Sequence, residues 1–448
     1  MRERHSFLFA FVAVALLAGA SAPAAASKDL EIEGHWRGAV VRENAIQLID
    51  VRLDASGDSL SGTYDIPELG LFDVPLRELT LSDSTLTLRI LYGPFALRHH
   101  PDVDQLTGGN ERWNPPLALH LKREASGSER PFVTEELEFG NGGVKLKAML
   151  VRPRGNGPFP ALVAVHGSGE QGLQMWEYRS HAYALAERGV AVLLYDKRGV
   201  GGSTGDFRTA DFEALADDAA AGMRLLRSRP DIRSSSVGLL GISQGGWISA
   251  VASRRGAKPS FVIMLQGPAV SLEQQELHRV QYSMQADGME QAAIDSALAH
   301  TRNYFDFVNT STGWEKLKAS SDVASASEWA DYVNLASAPD DDDILWWRRN
   351  AYDPADDLRQ VKCPVLAIFG EDDTAVPPAE NRQKMESYLA VAGVPYSTTV
   401  VPRLPHSVTT HHDLKGGEWS WPDRFWVWSR RPAALDSAIV EWVNLGEP

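Results

Sequence analysis

The stretch Val237-Gly238-Leu239-Leu240-Gly241-Ile242-Ser243-Gln244-Gly245 decides the fold of this chain. Its first four residues predict a short buried strand, and a helix is predicted to begin near Gly245. A sharp turn between a strand and a helix leaves no room for large side chains, which explains the glycines at positions 241 and 245. Ser243 is therefore predicted to project its hydroxyl from the carboxyl edge of a sheet, as a nucleophile.

Strand-like and helical stretches alternate on both sides of this turn. The candidate strands are residues 145–151, 161–165, 190–195, 237–240, 261–265, 365–369 and 397–401, and the candidate helices are residues 178–188, 212–227, 245–253 and 379–391. This alternation predicts a parallel sheet covered by helices, an α/β domain at residues 131–446. The alternation stops at about residues 268–353, where we expect a helical cap inserted after a central strand.

A separate small all-β domain is predicted at residues 28–123. Short β-type runs occur there, separated by turn residues at Ser56-Gly57-Asp58 and Ser61-Gly62. The segment 122–130 contains Ser126-Gly127-Ser128 among charged residues and is predicted to be the linker. Two units also fit the length of 448 residues, because single cores stop growing at roughly 250–300 residues.

Residues 1–26 have the pattern of a signal peptide. Arg2 and Arg4 precede an apolar run at residues 7–17, and small residues follow at Ala22-Pro23-Ala24. The single cysteine, Cys363, lies far downstream, so neither a lipid-modified N-terminus nor an intramolecular disulfide is expected, and Cys363 is expected to pack in the core. These features predict a secreted or periplasmic protein with no integral membrane segment after signal cleavage.

Charge and motifs argue against several classes of partner. The net charge of −15 comes from scattered acidic residues without a basic stripe, so no nucleic-acid binding is expected. The glycine-rich stretch from Tyr195 to Gly205 lacks the spacing of a phosphate loop and is predicted to be a tight turn. The run of aspartates at 340–343 is interpreted as a solvated helix start. No cofactor and no metal is therefore expected, and the oligomeric state is not predicted.

A serine hydroxyl is a weak nucleophile unless a base takes its proton and a carboxylate orients that base. The acidic loop after strand 365–369 offers Asp373, which is the predicted acid because the chain needs room after Gly370 to turn a side chain back; Asp372 is the alternative. His406 is the predicted base, since it follows strand 397–401 and a short turn. The alternatives for the base are His411 and His412.

Acyl transfer also needs two N–H donors for the oxyanion that forms at the carbonyl carbon. The amide of Gln244, directly after the nucleophile, is the first predicted donor. The second is expected in the loop His166-Gly167-Ser168-Gly169, with Ser168 preferred and Gly167 or Gly169 as alternatives. His166 is interpreted as structural. Six tryptophans are candidates for an apolar acyl pocket or for core packing: Trp346, Trp347, Trp419, Trp421, Trp426 and Trp428.

Together, these blocks resemble α/β-hydrolases of the prolyl-oligopeptidase-like and acyl-esterase group over roughly residues 131–446. The resemblance implies Ser243 as nucleophile, Asp373 as acid and His406 as base, with a helical cap, and some members carry an N-terminal β domain. Such relatives include carboxylesterases, acyl thioesterases and peptidases, and no block separates them. The complete order of Ser, Asp and His on a predicted sheet makes a serine hydrolase that cleaves a small-molecule acyl ester the leading hypothesis. The alternatives are an aminopeptidase or acyl-peptide hydrolase, and a non-catalytic binding protein on a hydrolase scaffold. The β domain is too short for the propeller of a true prolyl oligopeptidase, which argues against a peptidase.

Overall fold

The computed structural model describes residues 32–42, 45–56, 59–82, 85–124, 130–407 and 431–445. The predicted signal peptide at residues 1–26 lies outside these ranges. His411, His412 and four of the six tryptophans singled out above, Trp419, Trp421, Trp426 and Trp428, also lie outside them. No helix in the described ranges combines the length and the apolar character that crossing a membrane requires.

The N-terminal strands form one nine-stranded antiparallel sheet in the order β4-β3-β2-β1-β9-β8-β7-β6-β5. The strands are β1 (Gly34–Arg42), β2 (Ala45–Ser56), β3 (Ser59–Ile66), β4 (Leu71–Pro75), β5 (Arg77–Ser82), β6 (Thr85–Ile90), β7 (Gly93–His100), β8 (Gln105–Asn110) and β9 (Leu117–Glu124). Side chains alternate across the sheet, so that Leu86, Leu88 and Ile90 of β6 are buried while their neighbours are not. The buried face carries an aliphatic core around the fully buried Trp36.

A second sheet of eight strands follows, in the order β10-β11-β13-β12-β14-β15-β16-β17. The strands are β10 (Phe132–Asn141), β11 (Val144–Pro153), β12 (Phe159–Val165), β13 (Ala191–Tyr195), β14 (Ile232–Ile242), β15 (Val262–Leu265), β16 (Val365–Gly370) and β17 (Tyr396–Val401). Strands β10, β11 and β13 pair antiparallel, and all pairs from β13 to β17 are parallel. The predicted fold class, an α/β-hydrolase sheet preceded by an all-β domain, is confirmed.

Helices cover both faces of this sheet. They are α1 (Trp176–Ala186), α2 (Phe212–Arg227), α3 (Gln244–Arg254), α8 (Ala355–Gln360), α9 (Pro378–Ala392) and α10 (Ala433–Asn444), and the insertion between β15 and β16 supplies α4 (Leu272–Ala286), α5 (Gln291–Thr310), α6 (Trp314–Ser325) and α7 (Asp342–Arg349). The insertion has a small core of its own around Met284 and Ile294. Its α5 also contributes Tyr304 and Phe305 to the main core of the α/β domain.

The short helix α8, strand β10 and helix α10 are missing from the sequence-based assignment. Strand β10 alternates charged and half-buried residues at an edge of the sheet, so it lacks the continuous apolar run of the central strands. Helix α10 is held by Arg431, whose guanidinium is paired with Asp436 and donates to His181 Nδ1 of α1 at 2.7 Å. Helix α10 therefore depends on a partner that is distant in sequence, whereas β10 pairs with the next strand, β11.

An aromatic cluster joins the two sheets. Phe72 of β4 lies 5.3 Å from Phe132 of β10 and 5.1 Å from Tyr183 of α1, measured between ring centroids, and Phe132 stacks on Tyr183 at 4.6 Å. Beside it, Arg130 donates to Asp65 at 3.2 Å. The β domain therefore packs against the outer face of helix α1.

We expect the substitution Phe72→Ala to lower the free energy of unfolding by roughly 3 kcal/mol, because it leaves a cavity among buried rings. Chemical denaturation of the whole chain measures this change. Leu48→Ala is the matched control, since Leu48 is 52% exposed in the same domain and should change stability by less than about 0.5 kcal/mol. Equal effects of the two substitutions would show that the aromatic cluster does not hold the domains together.

Candidate active site

Ser243 lies on the tight turn between β14 and α3. Its backbone has φ 54° and ψ −124°, a strained conformation for a residue with a side chain. The turn fits only because its neighbours are glycines: a Cβ at Gly241 would lie 2.3 Å from the carbonyl oxygen of Gly245, and one at Gly245 would lie 2.1 Å from that of Val165. The Ser243 N–H donates to Leu265 at 2.9 Å. This packing fixes the direction of the Ser243 hydroxyl.

His406 reaches this hydroxyl from the loop after β17. Its Nε2 lies 3.0 Å from Ser243 Oγ, and its Nδ1 lies 2.8 Å from Asp373 Oδ2. The loop is held against the end of β16, where the Asp372 N–H donates to the carbonyl of Leu404 at 3.1 Å. The structure thus brings the predicted nucleophile, base and acid into one continuous chain of contacts.

The three carboxylates of the acidic loop have different environments. Asp373 is 3% exposed, and its Oδ1 accepts from the N–H groups of Ala375 and Val376 at 2.9 and 2.7 Å. Glu371 accepts from the N–H of Arg403 at 3.0 Å and so braces the loop that carries His406. Asp372, the alternative acid, is exposed. Of these three carboxylates, Asp373 is the one that contacts the histidine.

Two opposing effects set the pKa of His406. Burial favours the neutral imidazole and lowers the pKa, while the charge of Asp373 and its hydrogen bond favour the imidazolium, and the net result is a raised pKa. In the neutral ring, Nδ1–H donates to Asp373, which leaves Nε2 as the acceptor for the Ser243 hydroxyl. A base of this kind can take the serine proton and hold it as a stabilised cation.

The loop after β12 lies beside Ser243. A Cβ at Gly167 would lie 3.4 Å from the carbonyl oxygen of Ile242, the residue before Ser243. The Gly167 N–H is already used, because it donates to the Tyr178 hydroxyl at 2.8 Å. Ser168 and Gly169 line the same cavity as Ser243 and His406.

The other predicted oxyanion donor, Gln244, is the first residue of α3. Its N–H therefore has no partner inside the helix. Helix N-termini also favour negative charge. Gln244 lines the cavity together with Ser168, so both residues that carry the predicted donors lie on the cavity wall that also contains Ser243.

His166 is not a second base. Burial, together with the nearby charge of Lys197, lowers the pKa of His166 to about 3. Its Nε2 lies 2.7 Å from the carbonyl oxygen of Tyr195, which ties the ends of β12 and β13 together. Its ring therefore stays neutral and buttresses the loop, as interpreted from the sequence.

A cavity of about 1080 Å³ extends from Ser243 beneath the inserted helices. Its wall is partly aromatic, with Phe207, Trp247, Trp346 and Trp347. The charged side chains Glu276 and Arg279 also line it and pair with each other. No group of three or more metal-ligating side chains occurs in the described ranges.

Sequence reasoning missed Lys197, which lines this cavity and is only 2% exposed. The sequence pattern places Lys197 in the predicted tight turn at residues 195–205 and assigns it no role. Its position could have indicated a role, because only one residue, Asp196, separates this lysine from the fully buried strand β13.

Comparison with known proteins places the α/β domain among hydrolases. A family model described as X-Pro dipeptidyl-peptidase (S15 family) matches residues 142–409, more than half of the chain. Esterase EstD of Thermotoga maritima is 26% identical over 242 residues, which are 52% of this chain and 50% of that protein. The chain thus spans about half the length of this curated relative.

Solved structures of esterases are similar to this chain at low identity. An esterase of Pyrococcus furiosus is 18% identical, with 62% of this chain and 88% of that chain covered and a TM-score of 0.41. Est1E from Butyrivibrio proteoclasticus, solved with ferulic acid, is 17% identical, with 60% and 90% covered and a TM-score of 0.40.

We expect the His406 imidazole to titrate above its ordinary pKa of about 6.5, because the Asp373 carboxylate stabilises its charged form. The substitution Asp373→Asn removes that charge and leaves burial unopposed, so the His406 pKa should fall below the ordinary value. NMR titration of the histidine ring protons measures both values, and His406→Gln assigns the signal. An unchanged His406 pKa in Asp373→Asn would contradict the contact seen here.

Proposed function

The chain belongs to the X-Pro dipeptidyl-peptidase (S15) family, and we propose that it is a serine hydrolase that cleaves carboxylic esters through an acyl-enzyme intermediate on Ser243. One observation carries the proposal. Ser243 Oγ, His406 and Asp373 are linked by contacts of 3.0 and 2.8 Å, and Ser243 and His406 line a large cavity. This is the arrangement that activates a serine for attack on an acyl carbon.

The proposed mechanism follows from these contacts. The Ser243 hydroxyl attacks the ester carbonyl carbon while its proton passes to His406 Nε2, and Asp373 stabilises the resulting imidazolium. The N–H groups of Gln244 and Ser168 hold the oxyanion. The intermediate then expels the alcohol, which takes the proton from His406. Water repeats the sequence, releasing the carboxylic acid and restoring the serine.

Two observations favour an ester over a peptide. The curated relative found is an esterase. In addition, Glu276 is the most buried carboxylate on the cavity wall and is already paired, because Arg279 and Asn334 both donate to it. A paired carboxylate is a poor binder for the free amino terminus of a peptide.

A dipeptidyl-peptidase is the second candidate, since the family model carries that description. Glu177 is the feature of the cavity that favours it. This half-buried carboxylate has a pKa raised by burial, and among the described residues it forms no salt bridge. A substrate ammonium group could pair with it.

The substitution Ser243→Ala should lower kcat toward nitrophenyl esters on the order of 10⁵–10⁶-fold, because the acyl-enzyme can no longer form. Steady-state kinetics measure the change, and Ser296→Ala, an exposed serine on α5, is the matched control. Full activity in Ser243→Ala would refute the proposed nucleophile.

Two companion assays separate the alternatives. In the first assay, kcat/KM is measured for nitrophenyl esters and for X-Pro anilides. A higher kcat/KM for the anilides would show that the chain is a peptidase. A fluorophosphonate probe should form an adduct at Ser243. Absence of both the adduct and turnover would favour a binding protein on a hydrolase scaffold.

The aromatic wall should select the acyl group. Replacing Trp346 with alanine removes apolar contact area, so we expect KM for an aromatic acyl ester to rise roughly tenfold, equivalent to about 1.4 kcal/mol. KM for an acetyl ester, which is too small to reach across the cavity, should change little. Equal changes for the two substrates would show that the acyl group lies elsewhere.

A further inference from the structure

Lys197 lies in the loop directly after β13, and its ammonium group is tied to the loop that carries Ser168. The Nζ donates to the carbonyl oxygen of Gly167 at 2.7 Å and to that of Gly169 at 3.0 Å. These two carbonyls flank Ser168 on both sides. Lys197 also donates its backbone N–H to Gln171 at 3.1 Å, so its backbone and its side chain hold one loop.

The geometry of the peptide bond turns these contacts into a constraint on the Ser168 N–H. The Gly167 carbonyl and the Ser168 N–H belong to the same planar peptide unit, and in a trans peptide they point in opposite directions. A fixed carbonyl therefore fixes the direction of the N–H. The preceding peptide unit is held as well, because the Gly167 N–H donates to Tyr178.

This loop needs an external tie because its own residues restrain it little. Gly167 and Gly169 flank Ser168, and Gly169 has φ 78°, in the left-handed region that glycine adopts without strain. A Cβ at Gly169 would meet nothing within 4 Å. The side chain of Lys197 supplies the restraint that packing at Gly169 does not.

Burying this amine is costly, which argues against a purely structural tie. No salt bridge to Lys197 occurs among the described residues, and burial lowers the pKa of its ammonium group to about 7. A neutral amide could hold two carbonyls without that penalty. A positive charge on the wall of the Ser243 cavity, in contrast, favours the anion that forms during acyl transfer over the neutral substrate.

We propose that Lys197 is a positioning residue for acyl transfer, which holds the Gly167 carbonyl so that the Ser168 N–H points at the developing oxyanion on the Ser243 adduct. This inference rests on the proposed function, since it assigns Lys197 a part in the same reaction. In this role, Lys197 makes no direct contact with the reacting atoms.

The test compares Lys197→Met with the wild type in the full chain. For a nitrophenyl ester, kcat should fall roughly 10²-fold with KM nearly unchanged, because the lost interaction stabilises the transition state and not the bound substrate. A trifluoromethyl ketone, which adds to Ser243 as a tetrahedral anion, should lose affinity by a similar factor. Lys197→Arg should recover part of kcat, and Lys316→Met on the exposed face of α6 is the matched control.

A loss of stability alone would not give this pattern, and thermal unfolding of each variant shows whether the fold is kept. If Lys197→Met does not fold, Lys197→Leu, which also lacks a donor for the two carbonyls, decides in the same way, through kcat at constant KM. A kcat at the wild-type level, or a change in KM alone, would overturn the inference while the proposed function stands. If the wild type cleaves no ester or anilide and takes up no fluorophosphonate, the proposed function fails and the inference falls with it.

Discussion

The first turn of helix α3 packs so closely against the end of strand β12 that a Cβ at Gly245 would lie 2.1 Å from the Val165 carbonyl oxygen. This close approach forces the strained backbone of Ser243, with φ 54°, and the rest of the site is arranged around it. Parallel strands β12, β14, β15, β16 and β17 end at the same edge of the sheet, and their loops therefore converge on one point. The strain is sustained because packing on both sides determines it.

Much of this arrangement is local in sequence and could be predicted. The strand, turn and helix around Ser243 occupy a short run with its own glycine pattern. Asp373 follows the apolar strand β16, and His406 follows the neighbouring strand β17 at the same edge of the sheet. The selection of Asp373 over Asp372, in contrast, depends on tertiary packing. Neighbouring residues in a loop point in different directions, and which one is buried depends on where the histidine loop packs.

Other features depend on partners that no local pattern reveals. Lys197 was read as part of a turn because its carbonyl partners, Gly167 and Gly169, lie roughly thirty residues earlier in the chain. Helix α10 depends on Arg431, whose contact with His181 spans 250 positions. The edge strand β10 is too charged for an apolar pattern to find. For Lys197 and Arg431, a polar group finds its partner only after the sheet has formed.

The aromatic cluster at Phe72, Phe132 and Tyr183 has a practical consequence for dissecting the chain. Helix α1 carries Tyr183 toward the β domain and Tyr178 toward the loop that contains Gly167 and Ser168. A fragment that begins at residue 130 would leave Phe132 and Tyr183 facing water as an apolar patch on the catalytic unit, a surface that promotes self-association. The β domain thus acts as an intramolecular cover, and the two sheets are best produced and handled as one polypeptide.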